Sequence, residues 1–387
     1  VPPNVPVFIL VDDADNLNFD QTRVLNTWVA QRTTETVSLK ISTQMRYKTF
    51  LTYGNSRIET PHDFSEIFLT SVLVGSGTDP YDSWLTSVLT KRLQSQKILG
   101  FHALDTFFPE DETQVNAIRE IAEGIRNEAN ETGPRGHRTR DDVYRYARPE
   151  YMRGLGGSKK GSSRYSYSGY RQLVHLSSGV VRFFLDPAAR MYSEQVKRNK
   201  GEPVTHIDPD IQNSVLRATA DGLIFQELDK LRQDAAFSSG VKHAGDLSNA
   251  LKRLKNLVEA FGAVFQMALR DKERAERRVF SVLLNDEPTD EVSEIIKLGV
   301  VLGYFQEAAI GAKDGLGRTR RIVLTRRLAP YFNLDPNGFS GYLSVTQEFL
   351  EKAISDPKSI RGRLRSKGID SFTQQQQLGF DFEGGVT

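Results

Sequence analysis

The pattern of apolar positions near the start of the chain predicts an α/β sheet. Five apolar residues, Val7–Val11, run directly into two acids, Asp12 and Asp13. A short continuous apolar run of this kind is typical of a strand buried on both faces of a parallel sheet. Helix and strand patterns then alternate, with a helix at 22–33, a strand at 36–43 and a short strand at 65–69. This alternation predicts parallel strands whose polar ends lie at one edge of the sheet.

From about residue 79 the apolar spacing changes to that of helices. The apolar stripes predict long helices at about 172–195, 209–235 and 246–280. Residues 133–171 differ, because they combine ten Lys or Arg with seven Gly and six interleaved Tyr. We interpret this stretch in two ways: either its cations and rings follow a nucleic-acid backbone, or it is an exposed insertion.

The last folded part begins near Arg278 and has the pattern of a winged helix. A helix that begins at Thr289 or Asp290 is followed by a strand at 304–308, a Gly-rich turn at 311–317 and a basic strand at 319–325. Helix, strand, Gly-rich tip and return strand are typical of winged helices, which bind DNA or serve as protein-interaction modules. The candidate DNA contacts are Lys297, Lys313, Arg318, Arg320 and Arg321.

Alternation along the basic strand predicts which of its side chains face outward. We expect Ile322 and Leu324 to pack inward and Arg320 or Arg321 to face solvent. Arg326 and Arg327 follow the strand and extend the candidate basic surface. Cations of this kind contact phosphates, so they are expected to position DNA rather than to read its sequence.

Composition limits the classes of protein and site that these patterns can serve. Apolar content of 39% and charged content of 26% are ordinary for soluble globular protein, and 387 residues suffice for two or three domains. A net charge of +2 means that nucleic-acid binding depends on local patches. The chain has no cysteine, which excludes disulfides, thiolate zinc sites and thiol catalysis, and its six histidines lack metal-ligand spacing. No apolar run approaches the roughly 18 residues of a membrane span, so we expect a cytoplasmic protein without membrane contact.

The acids after the first strand are the strongest candidates for chemistry. An apolar strand that ends in paired acids is the Walker B pattern of P-loop NTPases, in which the first acid holds Mg²⁺ and the second activates water. An acidic turn after a core strand is the alternative. The partner motif G-x-x-x-x-G-K-[ST] does not occur in the chain, and the Gly-rich stretch at 154–163 lacks its spacing. We therefore expect these residues to be the C-terminal part of a longer NTPase.

Two further motifs, in their order along the chain, resemble one family. Ser42 and Thr43 end the second strand, where ATPases of the AAA+ type carry a hydroxyl that senses the γ-phosphate. Gly179 stands three residues before Arg182 at the start of an apolar helix, which resembles the second sensor of AAA+ lids. A helix start with one surface arginine is the alternative. With the Walker B strand and the winged helix, this order resembles AAA+ ATPases of the origin-recognition/initiator type.

The resemblance implies a fold and a set of residue roles. The fold is a partial α/β P-loop NTPase (AAA+) core, followed by a mostly α-helical lid and a C-terminal winged-helix domain. ATP and Mg²⁺ would bind between the subunits of a homo-oligomer. The implied roles are metal binding by Asp12, alignment of water by Asp13, contact with the γ-phosphate by Ser42 or Thr43, and contact with the phosphates from the lid by Arg182.

The family also carries an arginine that reaches into the site of the neighbouring subunit. Arg57, just before the short third strand, lies where the family carries this residue, and Arg46 is a second candidate. Asp13 replaces the usual glutamate of the family, which puts the rate of hydrolysis in doubt. Without a phosphate loop, these residues alone are not expected to hydrolyse ATP.

The expected parts are an α/β core segment at 1–75, a helical lid at 76–208, a helical connector at 209–277, a winged helix at 278–355 and a flexible tail at 356–387. In the tail, Gln375, Leu378 and Phe380 fit Q-x-x-L-x-F. This motif resembles the peptide that bacterial replication proteins dock into the sliding clamp. A featureless tail is the alternative.

The function that these patterns predict is the switching of assembly on DNA by binding or hydrolysis of ATP with Mg²⁺. One alternative is a non-catalytic winged-helix scaffold that binds DNA or protein. Another is a signalling NTPase of the defence type, which also carries paired Asp after an apolar strand.

Overall fold

The computed structural model describes residues 5–34, 36–43, 47–67, 79–95, 98, 103–136, 138–155, 164–237, 244–274, 276–311, 318–337, 341–360 and 362. Several predicted features lie outside the described residues, namely Arg46, residues 68–69 of the third strand, Lys313, and the tail motif of Gln375, Leu378 and Phe380. The chain forms two compact units, one of residues 1–80 with 299–303 and the other of residues 81–298 with 304–387.

The first unit contains the predicted parallel strand pair. Strand β1, Val7–Val11, pairs in parallel with β2, Val37–Ile41, and helix α1, Phe19–Arg32, connects them. Asn18 begins this helix with a capping box, because its side chain accepts from the backbone N–H of Gln21 and its own N–H donates to the Gln21 side chain, both at 2.8 Å. Strand, helix and parallel strand therefore follow the predicted order.

The prediction that the first strand is buried on both faces was wrong. Phe8 is 54% exposed and Leu10 is 76% exposed. Among the described residues, β1 pairs only with β2, and a two-stranded sheet cannot cover apolar side chains on both of its faces. The described part of the predicted third strand, residues 65–67, is not in a strand.

The second unit is mostly helical, and the bounds of its elements refer to the described residues. Its helices before the C-terminal sheet are α2 (Asp79–Ser95), α3 (Leu104–Phe107), α4 (Glu112–Thr132), α5 (Thr139–Gly154), α6 (Tyr170–Leu176), α7 (Val181–Asn199), α8 (Pro209–Gly222), α9 (Leu228–Phe237) and α10 (Ala244–Arg270). None of the described helices combines the length and the apolar character that crossing a membrane requires.

Three long helices predicted from the sequence are interrupted or shorter. The helix predicted at 172–195 is divided into α6 and α7, because Ser178 and Gly179 take left-handed backbone angles with φ of 52° and 79°. A π-helical turn, Leu223–Glu227, separates α8 from α9. The last of the three ends at Arg270 rather than near residue 280.

The C-terminal sheet contains the predicted hairpin and two strands that were not predicted, β3 and β6. Strand β3 (Val279–Leu284) precedes helix α11 (Asp290–Val301), and strands β4 (Phe305–Gly311), β5 (Arg318–Leu324) and β6 (Gly341–Val345) follow, with helices α12 (Ala329–Phe332) and α13 (Gln347–Ser355). The strand order is β4-β5-β3-β6, with β5 antiparallel to both of its neighbours and β6 parallel to β3. Alternation along β5 is confirmed, because Ile322 and Leu324 are buried.

Four of the six tyrosines in the stretch at 133–171 lie in the core. Tyr146, Tyr165, Tyr167 and Tyr170 are buried. Their rings therefore cannot stack on bases, and they do not belong to an exposed insertion. The Tyr167 hydroxyl lies 2.9 Å from the carbonyl oxygen of Ala329 and 2.8 Å from that of Leu334, and it donates to them. Tyrosine can be buried in this way because its hydroxyl finds partners inside the protein.

Replacing Tyr167 by Phe removes this hydroxyl and leaves two buried carbonyl groups without their donor. We expect Tyr167→Phe to lower the free energy of unfolding by roughly 1–2 kcal/mol. Urea denaturation followed by circular dichroism measures this change. Tyr192→Phe, at a partly exposed ring on α7, is the matched control and is expected to change stability little. Equal stability of the two variants would contradict this account of the segment.

Candidate functional site

The carboxyl ends of β1 and β2 bring Asp12 and Ser42 together. The hydrogen-bonding ladder continues past the strands, because the Ser42 N–H donates to the Val11 carbonyl and the Ala14 N–H donates to the Ser42 carbonyl, both at 2.9 Å. The Ser42 hydroxyl donates to the Asp12 carboxylate. Two residues that lie thirty positions apart in the sequence therefore share one site at the edge of the sheet.

Asp13 takes a strained backbone conformation at this site. Its φ of 50° and ψ of 46° are left-handed, which is uncommon for residues other than glycine. In this conformation its N–H points at both the Asp12 carboxylate and the Ser42 hydroxyl, each at 3.1 Å, and the chain enters a 3₁₀ turn, Ala14–Asn16. Strain of this kind is concentrated at functional sites and tight turns, and here it accompanies the contacts of the Asp13 N–H with Asp12 and Ser42.

The donor set at this edge fits a hard cation that needs few protein ligands. Asp12 is exposed and offers a carboxylate, and Ser42 offers a hydroxyl oxygen. Among the described residues no group of three His, Asp or Glu side chains could hold a metal ion. Mg²⁺ is commonly held by only one or two carboxylates, with water and phosphate oxygens completing its shell. The site therefore fits Mg²⁺ bound together with a phosphate ligand.

Thr43 and Arg57 lie in the same unit as this pair. Thr43 follows Ser42 and is exposed. Arg57 is also exposed and lies in a turn closed by an isolated antiparallel bridge between Leu51 and Arg57. Among the described residues, the Arg57 side chain forms no hydrogen bond or ion pair. It is thus accessible to a partner, which the role implied by the resemblance requires.

Sequence reasoning missed the residue that holds this turn in place. Asn26 is buried on α1, and its side-chain amide donates to the carbonyls of Thr49 and Leu51, both at 2.8 Å. Its carbonyl accepts from the Tyr47 hydroxyl at 2.9 Å, and burial raises the pKa of Tyr47 to about 12. The signal was present in the sequence as a polar residue next to Leu25 on the apolar face of the helix.

Arg182 belongs to the second unit and lies in the first turn of α7. Its side chain is exposed, whereas the two residues that follow it are packed. Phe183 lies under the Arg327 guanidinium, and Phe184 is buried against Phe108 with ring centroids 5.9 Å apart. The position of Arg182 is therefore set by its neighbours along the helix.

The candidate DNA-binding cations are not equally available. Lys297 is exposed on α11. Arg320 is one-third exposed and bonds to Glu307 at 2.9 Å. Arg321 is half-buried, donates to the Ser281 hydroxyl at 2.8 Å, and has its pKa lowered by burial. Arg318 begins β5.

The expectation that Arg326 and Arg327 extend the basic surface was wrong. Burial lowers the pKa of Arg326 to about 10, and its side chain is only 9% exposed. Arg327 is half-buried with its guanidinium 3.8 Å from the centroid of the Phe183 ring. Both arginines are drawn inward because they pack on aromatic rings of the same unit, Phe280 for Arg326 and Phe183 for Arg327.

Comparison with known proteins agrees with the order of motifs. The model of the family described as ORC-CDC6-like matches residues 1–345. No curated protein and no solved structure matches the chain. The matched region includes the strand pair with Asp12 and Ser42, the helices around Arg182 and the C-terminal sheet through β6. The chain therefore belongs to the ORC-CDC6-like family and is an AAA+ protein of the origin-recognition/initiator type.

Proposed function

We propose that this protein uses ATP with Mg²⁺ to switch its assembly on DNA. The observation that carries the proposal is the contact between Asp12 and Ser42 at the carboxyl ends of adjacent parallel strands. Ligands of open α/β sheets bind outside the carboxyl ends of the strands. An acid and a hydroxyl side by side at this edge have the chemistry needed to hold a metal ion and to sense a phosphate.

Each site residue has one task in this proposal. Asp12 holds the metal ion and Asp13 orients the attacking water. Ser42 or Thr43 donates a hydrogen bond to the γ-phosphate, and of the two Ser42 is the one whose hydroxyl contacts Asp12. Arg182 contacts the phosphates from the helical region, and Arg57 serves the site of a neighbouring copy in a homo-oligomer. Bound Mg²⁺ supplies charge neutralisation for the phosphate oxygens.

The proposal requires a phosphate loop from outside these 387 residues, since G-x-x-x-x-G-K-[ST] does not occur among them. An aspartate at the position of Asp13 is shorter than the glutamate usual in the family and reaches less far toward water. Slow switching between nucleotide states is therefore a better fit than rapid turnover.

DNA contact is proposed for the C-terminal sheet and α11. The order β4-β5-β3, with a hairpin between β4 and β5 and a helix before it, supports the assignment of a winged helix. Lys297 and Arg320 carry the accessible charge, and Arg318 and Lys313 belong to the same sequence patch. Docking of a sliding clamp on Gln375, Leu378 and Phe380, and a cytoplasmic location, stay predictions from the sequence.

A second candidate is a non-catalytic scaffold that binds DNA or protein, and it is supported by the Ser42 hydroxyl being already bonded to Asp12 within the protein. In that case the Asp12–Ser42 contact is a structural turn. The two candidates differ in whether the complete protein binds and hydrolyses ATP, which the first of the following experiments measures.

The test of the metal role is Asp12→Asn in the complete product of the natural gene. The substitution keeps the size of the side chain and its bond to Ser42 but removes the charge that Mg²⁺ needs. We expect Mg²⁺-dependent ATP turnover to fall about 100-fold or more. Asp20→Asn, at an exposed acid on α1, is the matched control and is expected to keep wild-type turnover. If Asp12→Asn turned over ATP at the wild-type rate, the Walker B assignment would be lost.

The test of DNA contact combines Lys297→Gln, Arg318→Gln and Arg320→Gln in the 387-residue chain. Removing phosphate contacts is expected to weaken binding to a DNA duplex and to reduce the slope of log affinity against log salt by about 0.9 for each cation that no longer reaches a phosphate. Fluorescence anisotropy at several salt concentrations gives both quantities.

The matched control for charge removes three exposed cations elsewhere, with Arg119→Gln, Arg190→Gln and Lys197→Gln. It should keep most of the affinity, because these residues lie on α4 and α7 rather than on the sheet. Equal salt slopes for the two triple variants would remove the sheet and α11 as the DNA-binding surface.

A further inference from the structure

The loop that leads into Arg182 is held from two sides. Ser177 is buried, and its hydroxyl lies 2.8 Å from the Tyr81 hydroxyl of α2. Ser178 takes a left-handed conformation, and its hydroxyl accepts a 2.9 Å hydrogen bond from the backbone N–H of Arg326. A strained residue is thus fixed directly to the segment that follows β5, four residues before Arg182.

A second contact joins the same two segments. The Arg327 guanidinium carbon lies 3.8 Å from the centroid of the Phe183 ring, the shortest such distance among the described residues. Cation–π contacts gain strength when they are shielded from water. Burial lowers the pKa of Arg327 from its ordinary value, in agreement with a guanidinium that has lost water to the ring and its surroundings.

The segment that carries Arg326 and Arg327 directly follows the β4–β5 hairpin. It is a 3₁₀ turn, Arg326–Leu328, that begins two residues after β5 ends. The Thr325 N–H donates to the Tyr304 carbonyl at 2.9 Å, which ties the turn to the residue before β4. A displacement of the hairpin is therefore carried into the turn by the backbone itself.

Phe184 fixes the other side of the same helical turn. Its ring contacts Phe108 and Tyr170 edge-on, with centroid distances of 5.9 Å and 6.0 Å. Phe184 thus packs against the helical core, and Phe183 contacts Arg327 in the turn that follows the hairpin. The first turn of α7 therefore contacts both parts.

We propose that Phe183 and Ser178 are positioning residues that couple Arg182 to the β4–β5 hairpin, so that binding of DNA by the hairpin alters the setting of Arg182. The inference rests on the proposed function for the roles of Arg182 and the hairpin. It assigns the communication between them to a local set of contacts within one compact unit. Coupling through contacts of this kind is reciprocal, so occupancy at Arg182 also alters DNA affinity.

The test is amide hydrogen exchange in the first turn of α7, measured by mass spectrometry on the 387-residue chain with and without a DNA duplex. In the wild type we expect DNA to change the exchange rate there by at least about threefold. Phe183→Leu keeps an apolar side chain but removes the ring face, so the DNA effect should disappear. Ser178→Ala should weaken the effect, because it removes the acceptor of the Arg326 N–H.

Two controls separate coupling from simple loss of structure. Phe183→Trp keeps a ring for Arg327 and should preserve the DNA effect. Phe225→Leu removes a different cation–π pair, with Lys255 at 5.1 Å, and should also preserve it. All four variants are expected to bind DNA within about twofold of the wild type, since none of the three residues is a proposed DNA contact.

Two results would overturn the inference: wild-type protein that binds DNA without a change in α7, or Phe183→Leu that transmits the change like the wild type. If the wild type bound no DNA, the DNA-binding part of the proposed function would fail. Amide hydrogen exchange of the DNA-free proteins would then test whether the Phe183 ring holds the first turn of α7 in place. An acceleration of at least about tenfold in Phe183→Leu supports it, and equal exchange overturns it.

Discussion

The parallel hydrogen bonding of β1 with β2 is the constraint on which the candidate site depends. The register pairs Val11 with Ile41, so the next residue on each strand, Asp12 and Ser42, meet at the sheet edge. A slip of one residue would place Thr43 beside Asp12 and would turn every following side chain to the other face. The left-handed conformation of Asp13 then leads the chain into a 3₁₀ turn, and the Asp13 N–H contacts the Asp12 carboxylate and the Ser42 hydroxyl.

The second unit uses much of its basic and aromatic content internally. Arg277 is buried, bonds to Glu150 at 2.7 Å and lies over the Tyr146 ring at 4.9 Å. Arg278 is buried in the same manner beside Glu276 and Tyr144. Because each buried guanidinium needs such partners, a basic tyrosine-rich sequence can build a core rather than a nucleic-acid surface.

The same principle joins the helical region to the C-terminal elements. Arg217 of α8 donates to the carbonyls of Tyr165 and Pro330, at 2.8 Å and 3.0 Å, and lies 5.2 Å from the Tyr167 ring centroid. Together with the Phe183–Arg327 stack, these contacts explain why residues predicted as lid, connector and winged helix fall within one compact unit. Arg182 and the β4–β5 hairpin therefore lie within one compact unit.

Much of the local structure could be predicted because its signals are local. The apolar run with its acids predicted β1, the hydroxyl-ended strand predicted β2, and the pattern from residue 289 predicted α11, which is followed by Gly303 with φ of 74°. The hairpin and the inward side chains of β5 also follow from two-residue alternation. The contact of Asp12 with Ser42 could be anticipated for the same reason, since both stand at strand ends.

By itself, then, the sequence determined the order of β1, α1 and β2, the β4–β5 hairpin after its helix, and the identity of the residues at the strand ends. Only the tertiary structure decided which strands are covered, which arginines face inward and which tyrosines form the core. Exposure of Phe8 depends on how many strands pair with β1, and burial of Tyr167 depends on Leu334, far along the chain. Burial is a property of segments that meet in space, and neither the period of an element nor the chemistry of one residue specifies its distant neighbours.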